Sequence, residues 1–467
     1  METAWAQASE IAAAVREGRA SASDVVTAAL VRIGQRNPAL NAFTAVLGER
    51  AVAKAAAIDK APANARAALP LAGVPFAVKN LFDIAGMSTR AGSKINRERV
   101  PATRDATLIS RLETAGAVLV GALNMGEYAY DFTGENVHDG ACRNPHDVRR
   151  MSGGSSSGSG AAVAGSLFCG IFGLKPTYGR LSRARSFPFV ASLDHVGPMA
   201  RSTGDLALAY DAMQGHDPDD PVCADRPIEA VTPLIDRGIA GLGIAVAGGY
   251  FRIGAYPQAQ TALARVAAVL GAEAEIELPE PERARSAAYV ITASEGAALH
   301  LDRLRTRPRD FDPAVRDRLI AGAMIPAPLV AKAQKFRRWY RTRVLELFAR
   351  VDVVLAPVTP CTAPRIGQTT FRFGGIEIPL RANIGVYTQP ISFIGLPVVA
   401  VPVPLEPLPI GVQIIAAPWR EDIALRVART LEQMGIAAAP RPALGLANRH
   451  SAASSSRTTG RAPTARA

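Results

Sequence analysis

The chain has 467 residues, 48% of them hydrophobic and 20% charged, with a formal net charge of +12. That length and composition suit a folded chain with a large core and exclude an intrinsically disordered one. No uncharged apolar run reaches the ~18 residues of a membrane span. The start, Met1-Glu2-Thr3-Ala4-Trp5, lacks a basic-then-apolar leader, so no membrane association and a cytoplasmic location are expected.

In chain order, residues 8–15 and 21–33 carry apolar side chains at three- and four-residue spacing and are predicted helices, the second capped by Ser21 or Ser23. Residues 73–79 form a short apolar run behind a Gly/Pro turn, a predicted buried strand ending in Lys79. A predicted helix at 106–115 and strand at 117–120 follow, and the alternation continues to about residue 215, which indicates an α/β fold. Beyond a Pro- and Asp-rich connection, residues 241–247 read as a strand, 257–270 as a helix, and the pattern stays helical to Phe348. The densest basic patch, 335–343, interleaves arginines with aromatic residues, as a phosphate-binding surface does. Its spacing better fits an amphipathic helix with Phe336, Trp339, Tyr340 and Val344 buried and the arginines in water, so no direct nucleic-acid binding is expected.

Strands recur at 351–356, 398–402 and 410–416. Both ends of the chain thus supply strands to one large mixed sheet with helices on both faces. Residues 1–447 are expected to form a single domain with a helical insertion around 255–345, and 448–467 a disordered tail. The four cysteines, Cys142, Cys169, Cys223 and Cys361, have no CxxC pairing and no histidine at metal-ligand spacing. They read as small buried hydrophobes, and neither a metal nor a cofactor is expected.

Burial disfavours an ammonium, so a lysine closing a buried strand becomes a candidate proton acceptor. The plainer reading of Lys79 is a lysine that emerges from the strand end into a surface ion pair. The second feature is Ser152-Gly153-Gly154-Ser155-Ser156-Ser157-Gly158-Ser159-Gly160, which runs into a small-residue helix at 161–167. Such a stretch is commonly a linker. Between structured segments, its helix-start amides and hydroxyls suit an anionic intermediate. Gly154-Ser155-Ser156-Ser157-Gly158 matches the G-x-S-x-G elbow formally. An elbow needs a preceding strand, and residues 144–150 are not predicted to be one. The downstream histidines His195, His216, His300 and His450 also lack a recognisable context. A lysine base relayed through a serine is the scheme the residues favour.

Together these features resemble the amidase signature family of C–N hydrolases. The resemblance runs through Leu71-Ala72-Gly73-Val74-Pro75-Phe76-Ala77-Val78-Lys79-Asn80, Asn124-Met125-Gly126-Glu127-Tyr128, Gly153-Gly154-Ser155-Ser156-Ser157-Gly158-Ser159, Cys169-Gly170-Ile171-Phe172-Gly173-Leu174-Lys175-Pro176-Thr177 and Pro409-Ile410-Gly411-Val412-Gln413. Within the family, Asn80-Leu81-Phe82-Asp83, Phe187-Pro188-Phe189-Val190 and Ala416-Ala417-Pro418-Trp419 are similar to the biuret and carboxybiuret hydrolases of cyanuric acid breakdown.

The resemblance implies Lys79 as base and Ser155 as relay after a cis peptide, with Gly153, Gly154 and Ser156 shaping the loop. It implies Tyr128, Tyr130, Thr133 and Arg303 or Arg305 as substrate contacts. The nucleophilic serine and the oxyanion donors should follow on a further strand and turn. Instead the sequence passes from Leu167 straight to Phe168, where the family would place about twenty more residues. One central strand is therefore expected to be lost, with Ser166 as a weak substitute nucleophile.

Three readings follow. The chain is an amidohydrolase for a small urea-like amide, internally shortened; or a non-catalytic relative that binds a ligand or partner; or a glutaminase subunit of an amidotransferase. The resemblance further implies a homo-oligomer and a small accessory subunit.

Overall fold

The computed structural model of the chain describes residues 2–163 and 168–442. Ser166, His450 and the expected tail at 448–467 lie outside the described residues.

The strands, in chain order, are β1 (Phe43–Val46), β2 (Pro75–Lys79), β3 (Val118–Leu123), β4 (Arg143–Asn144), β5 (Asp147–Met151), β6 (Phe172–Lys175), β7 (Met199–Ala200), β8 (Ile244–Ala247), β9 (Ala274–Ile276), β10 (Val353–Pro357), β11 (Thr370–Phe373), β12 (Ile376–Pro379), β13 (Val398–Val403) and β14 (Ile410–Ala416). Seven of them form one mixed sheet in the order β7-β6-β13-β14-β10-β8-β9. β10 runs parallel to β8 and antiparallel to β14. Every residue of β10 is buried, as its unbroken apolar run requires of a strand covered on both faces. The helices Pro257–Val269 and Glu421–Gln433 pack on this sheet. The helices Pro281–Thr306 and Ala327–Leu347 supply a second core with residues of β8, β10 and β13.

The first three strands form a separate sheet, β1-β3-β2, beside the large one. β3 is buried throughout, while β2 is only half-buried along its whole length. β3 has a neighbour on each side, whereas among the described residues β2 pairs with β3 alone. Beside β2 lies a cavity of about 1850 Å³, lined by Phe76 to Lys79 of β2, Gly173 to Lys175 of β6, and both residues of β7. Among the described residues, no ladder joins the two sheets, which face each other across this cavity.

Four local expectations are corrected. Residues 147–151 do form a strand before the Gly/Ser loop, because β5 folds back on β4 and its Met151 amide donates to the Pro364 carbonyl. The helix after the loop is Ser157–Val163 and starts on serine, ahead of the alanine run. In the basic helix, Tyr340 and Val344 are buried as expected, but Trp339 is 41% exposed. Arg337 is drawn inward, donating to the carbonyls of Ser192 and Phe393 at 2.7 Å each. All four cysteines are buried. Among the described residues no helix is long and apolar enough to cross a membrane, and no cluster of His, Cys, Asp and Glu is arranged to hold a metal.

A strand with one neighbour leaves alternate amides without ladder partners. Native-state hydrogen exchange should therefore be at least about tenfold faster for the least protected amides of Phe76 to Lys79 than for those of β14.

Candidate active site

The register of β2 on β3 ends with Lys79 opposite Leu123, which carries the lysine to the cavity. There its Nζ donates to Ser155 Oγ at 3.0 Å. Burial pushes the Lys79 pKa down to about 8, and the charge of Asp194 opposes that shift. Asp194 is a site residue that sequence reasoning missed. Its own pKa is raised by burial, while the amides of Phe189 and Val190 donate to its carboxylate at 2.8 and 3.0 Å. Nothing in Ser192-Leu193-Asp194-His195 marks it, because the relation to Lys79 exists only in three dimensions.

Ser155 follows a cis peptide from Gly154. The loop is held by backbone contacts: Gly153 N to Thr133 O at 3.1 Å, Gly154 N to Phe132 O at 2.8 Å, and Gly158 N to Asn124 O at 2.8 Å. These amides are already engaged, so the expected cluster of donors facing one anionic spot is not what Gly153, Gly154 and Gly158 provide. Gly158 is required for a steric reason. A Cβ there would lie 2.3 Å from Ala42 O and 2.5 Å from Asn124 N.

Beneath the loop, the buried Asp131 carboxylate accepts from Gly134 N at 2.6 Å and Thr133 N at 3.0 Å, and pairs with Arg381 at 2.9 Å. Thr133 is thus part of the loop's support, its hydroxyl also bonded to Asp131. Ser156 and Ser159 face the cavity. The hydroxyl that meets the lysine is Ser155, not the elbow position Ser156.

Among the other predicted contacts, the structure joins Tyr128 and Arg303. Tyr128 OH and Arg303 Nη1 both donate to Asn96 Oδ1, at 3.3 and 3.1 Å, and the Tyr128 ring lies against His300, tilted by 38°, with centroids 3.9 Å apart. Tyr130 lies under the Arg318 guanidinium, 3.8 Å from its centroid. Arg305 is exposed and does not join them.

Two further groups line the cavity. Lys175 closes β6 much as Lys79 closes β2, so the same pattern would have found it. Its Nζ donates to the Leu396 carbonyl, and burial pushes its pKa down to about 7 against the pull of Glu421. His195 holds Nδ1 2.5 Å from the Leu193 carbonyl, while its buried Nε2 has no partner. Burial first, and then the charge of Lys175, hold His195 neutral.

The amidase family model matches residues 24–168 and 166–425. The chain is 51% identical over 449 residues to AtzE, the 1-carboxybiuret hydrolase subunit of Pseudomonas sp. strain ADP, covering 92% of this chain and 98% of that protein. It is 34% identical over 485 residues to the A-type subunit of the glutamyl-tRNA(Gln) amidotransferase of Chromohalobacter salexigens, covering 93% and 98%. Among solved structures it is similar to one described as an unexpected vestigial protein complex that reveals the evolutionary origins of an s-triazine catabolic enzyme. There the TM-score is 0.92 and the identity 50%, over 93% of this chain and 100% of the other.

Two outcomes follow. The Lys79 pKa lies below the ordinary 10.5, so between pH 8 and 10.5 the unfolded chain binds the extra proton. The penalty for burying this lysine is complete below pH 8 and vanishes as pH rises towards 10.5. Lys79→Met should therefore raise the unfolding free energy at pH 7 by up to about 3 kcal/mol, and by much less at pH 10.5, as read from urea midpoints at each pH. Gly158→Ala should lower stability by about 2 kcal/mol or more in the same assay, because the methyl meets backbone on two sides.

Proposed function

The chain belongs to the amidase family, and on that footing we propose that it is an amidohydrolase of the biuret and carboxybiuret class whose Ser-Ser-Lys apparatus lacks its nucleophile. The observation that carries the reading is the 3.0 Å contact between Lys79 Nζ and Ser155 Oγ, with the lysine pKa lowered to about 8. A neutral Lys79 amine accepts the Ser155 proton, and Ser155 in turn accepts one from an attacking serine. With that serine supplied, it would add to the substrate carbonyl, the proton held on Lys79 would return through Ser155 to the leaving nitrogen, ammonia would depart, and water would hydrolyse the carbamoyl-serine. Gly153, Gly154 and Ser156 shape the loop around Ser155. For a small urea-like amide bearing a carboxylate, Arg303 with Tyr128 is the favoured contact, since a guanidinium fork suits that group.

Several observations support the loss of an internal stretch between Leu167 and Phe168. The family match falls into two pieces that meet at residues 166–168. The alignment to the carboxybiuret hydrolase has 449 positions but takes in 92% of the 467 residues, so it has more positions than this chain has residues to fill them. Among the described residues β2 also has no second neighbour. Ser166 is at most a weak substitute in this reading. We read 1–447 as one amidase-type domain with a helical insertion around 255–345, acting in the cytoplasm as a homo-oligomer. That the relative is itself named as one subunit of its enzyme supports a small accessory partner.

The test is ammonia release from biuret and 1-carboxybiuret by the chain and by a chimera carrying the relative's residues between Leu167 and Phe168. The chain should be inert. The chimera should turn over, and Lys79→Ala should cost it about a thousandfold or more. Turnover by the chain itself that Lys79→Ala abolishes would refute the missing nucleophile. A folded but inert chimera would refute the amidohydrolase reading.

A further inference from the structure

Arg303 lines a smaller cavity, of about 380 Å³, that is separate from the one at Lys79. The wall between the two is a short pairing of chain segments. Phe82 bridges to Ser186, Phe187 N donates to Leu81 O at 2.7 Å, and Asp83 N donates to Arg185 O at 2.8 Å. Leu81 and Phe82 face the lysine's cavity, whereas Asp83, Arg185, Ser186 and Phe187 face the smaller one. Every residue lining the smaller cavity is described. Its size is that of a small-molecule site, roughly 300–1,000 Å³.

Three arginines line this space. The guanidiniums of Arg99 and Arg303 share the Phe187 ring, 5.3 and 5.8 Å from its centroid. Arg303 is held through Nη1, on Asn96 Oδ1 at 3.1 Å and Tyr128 OH at 3.4 Å, and its Nε and Nη2 have no acceptor among the described residues. Arg99 has no carboxylate partner among them, since its neighbour Glu98 is taken by Arg307 at 2.6 and 2.8 Å. Arg185 reaches Asp219 at 3.5 Å, and Asp219 is already paired with Arg104 at 3.0 Å. The Arg185 backbone is left-handed, φ +63°, a conformation that an arginine keeps only where the surrounding structure imposes it. Two carboxylates line the same cavity. That of Asp83 accepts from Thr89 Oγ1, while that of Asp302 has no donor among the described residues.

We propose that this cavity is a holding site, apart from the reaction centre, for a small planar carboxylate that carries an amide N–H. The carboxylate takes the free donors of Arg99 and Arg303, whose forked geometry suits a two-oxygen acceptor. The amide N–H donates to the Asp302 carboxylate, and Phe187, Pro188 and Leu299 supply the apolar surface beneath. An anion without the N–H meets Asp302 as a like charge, and a neutral amide forgoes both guanidiniums, so the lining selects for the two groups together. A molecule held here is divided from Lys79 and Ser155 by the wall of 81–83 and 185–187, which places the Arg303 contact ahead of the reaction and not in it. The choice of ligand rests on the carboxybiuret reading above, because a carboxylated urea-like amide has both groups. The cavity and its charges stand without it.

The probe is N-carbamoylglycine, a stable urea bearing a carboxylate, titrated calorimetrically onto the purified full chain. Acetate supplies the carboxylate without the amide, and biuret the amide without the carboxylate. N-Carbamoylglycine should bind saturably, and each control at least about tenfold more weakly. Arg99→Gln should weaken its binding at least about tenfold. That variant should unfold as cooperatively as the parent, since the Arg99 guanidinium rests on Phe187 alone among the described residues. Asp302→Asn removes the like charge and should bring acetate to within about threefold of N-carbamoylglycine. Lys79→Met should leave the binding unchanged.

The site is refuted if the folded chain does not bind N-carbamoylglycine, or if acetate or biuret binds as tightly, which for acetate would mean an adventitious anion only. It is equally refuted if folded Arg99→Gln binds as tightly as the parent, or if Asp302→Asn leaves the preference over acetate intact. Binding lost in Lys79→Met would put the ligand in the larger cavity and overturn the holding site as well. An active chimera alongside a chain that binds no N-carbamoylglycine would overturn the site and leave the proposed reaction standing. Binding that Arg99→Gln abolishes, alongside an inert chimera, would do the reverse.

Discussion

Lys79 is held out of bulk water at the end of β2, with its amine on Ser155 Oγ, and much of the remaining architecture follows from keeping it there. An ammonium in such a place is tolerated only if its charge is reduced or opposed. Both occur: burial lowers the pKa towards neutrality, and Asp194 opposes the charge that remains. Asp194 is in turn fixed by the amides of Phe189 and Val190, so the lysine's proton depends on a loop more than a hundred residues away in sequence. Lys175 repeats the arrangement at the end of β6, with Glu421 in the role of the opposing charge. Two strands thus deliver two low-pKa lysines to one cavity.

The serine side of the contact is fixed differently. The Ser155 loop bears no charge, and its position is set by main-chain hydrogen bonds to residues 124, 132 and 133 and by glycines whose replacement would strike backbone. Under it, Asp131 gathers two amides and the Arg381 guanidinium around one fully buried carboxylate. Removing either charged partner would leave the other uncompensated, so this pair acts as a locating device for the loop more than as a source of net stability. Because the amides of Gly153, Gly154 and Gly158 are turned towards those carbonyls, these three are not available as donors for an oxyanion.

How far this was legible in the sequence depends on the range of the interactions. β2, β10, β13 and β14 are legible as strands because a mainly apolar run bounded by Gly or Pro carries its own signal, but the burial expected of β2 is not met, since the whole strand is half-buried where it borders the cavity. The helix cap at Ser21 was readable because the bond from Asp24 N to Ser21 Oγ is local. β5 was missed because Asp147-Val148-Arg149-Arg150 has no apolar alternation. It is a strand by virtue of its hairpin with β4 and of Ile366 and Arg365, which bridge to it from across the molecule. Trp339 was misplaced because helical spacing gives a face but not its width, and Tyr340 and Val344 already fill the buried stripe. Lys79 and Ser155 could be named from motif resemblance, whereas Asp194 and Arg381, which hold them, could not.

The separation of the two sheets raises the question of what keeps β2 opposite β6. No ladder joins them among the described residues, yet a single hydrophobic core runs beneath both. Val118 and Val120 of β3 belong to the same cluster as Phe172 and Leu174 of β6 and Leu206 and Tyr210 of the helix Thr203–Met213. Polar contacts then tie the chain across the junction itself. Asn144 Nδ2 donates to Phe168 O at 3.1 Å, and the His146 ring lies 2.9 Å from Cys169 O. The first residues described after the junction are therefore anchored by the hairpin that precedes the loop, independently of whatever lies between. That arrangement explains how two halves of an interrupted sheet can keep their spacing. Side-chain packing below and hydrogen bonds at the rim fix the walls without a ladder between them among the described residues.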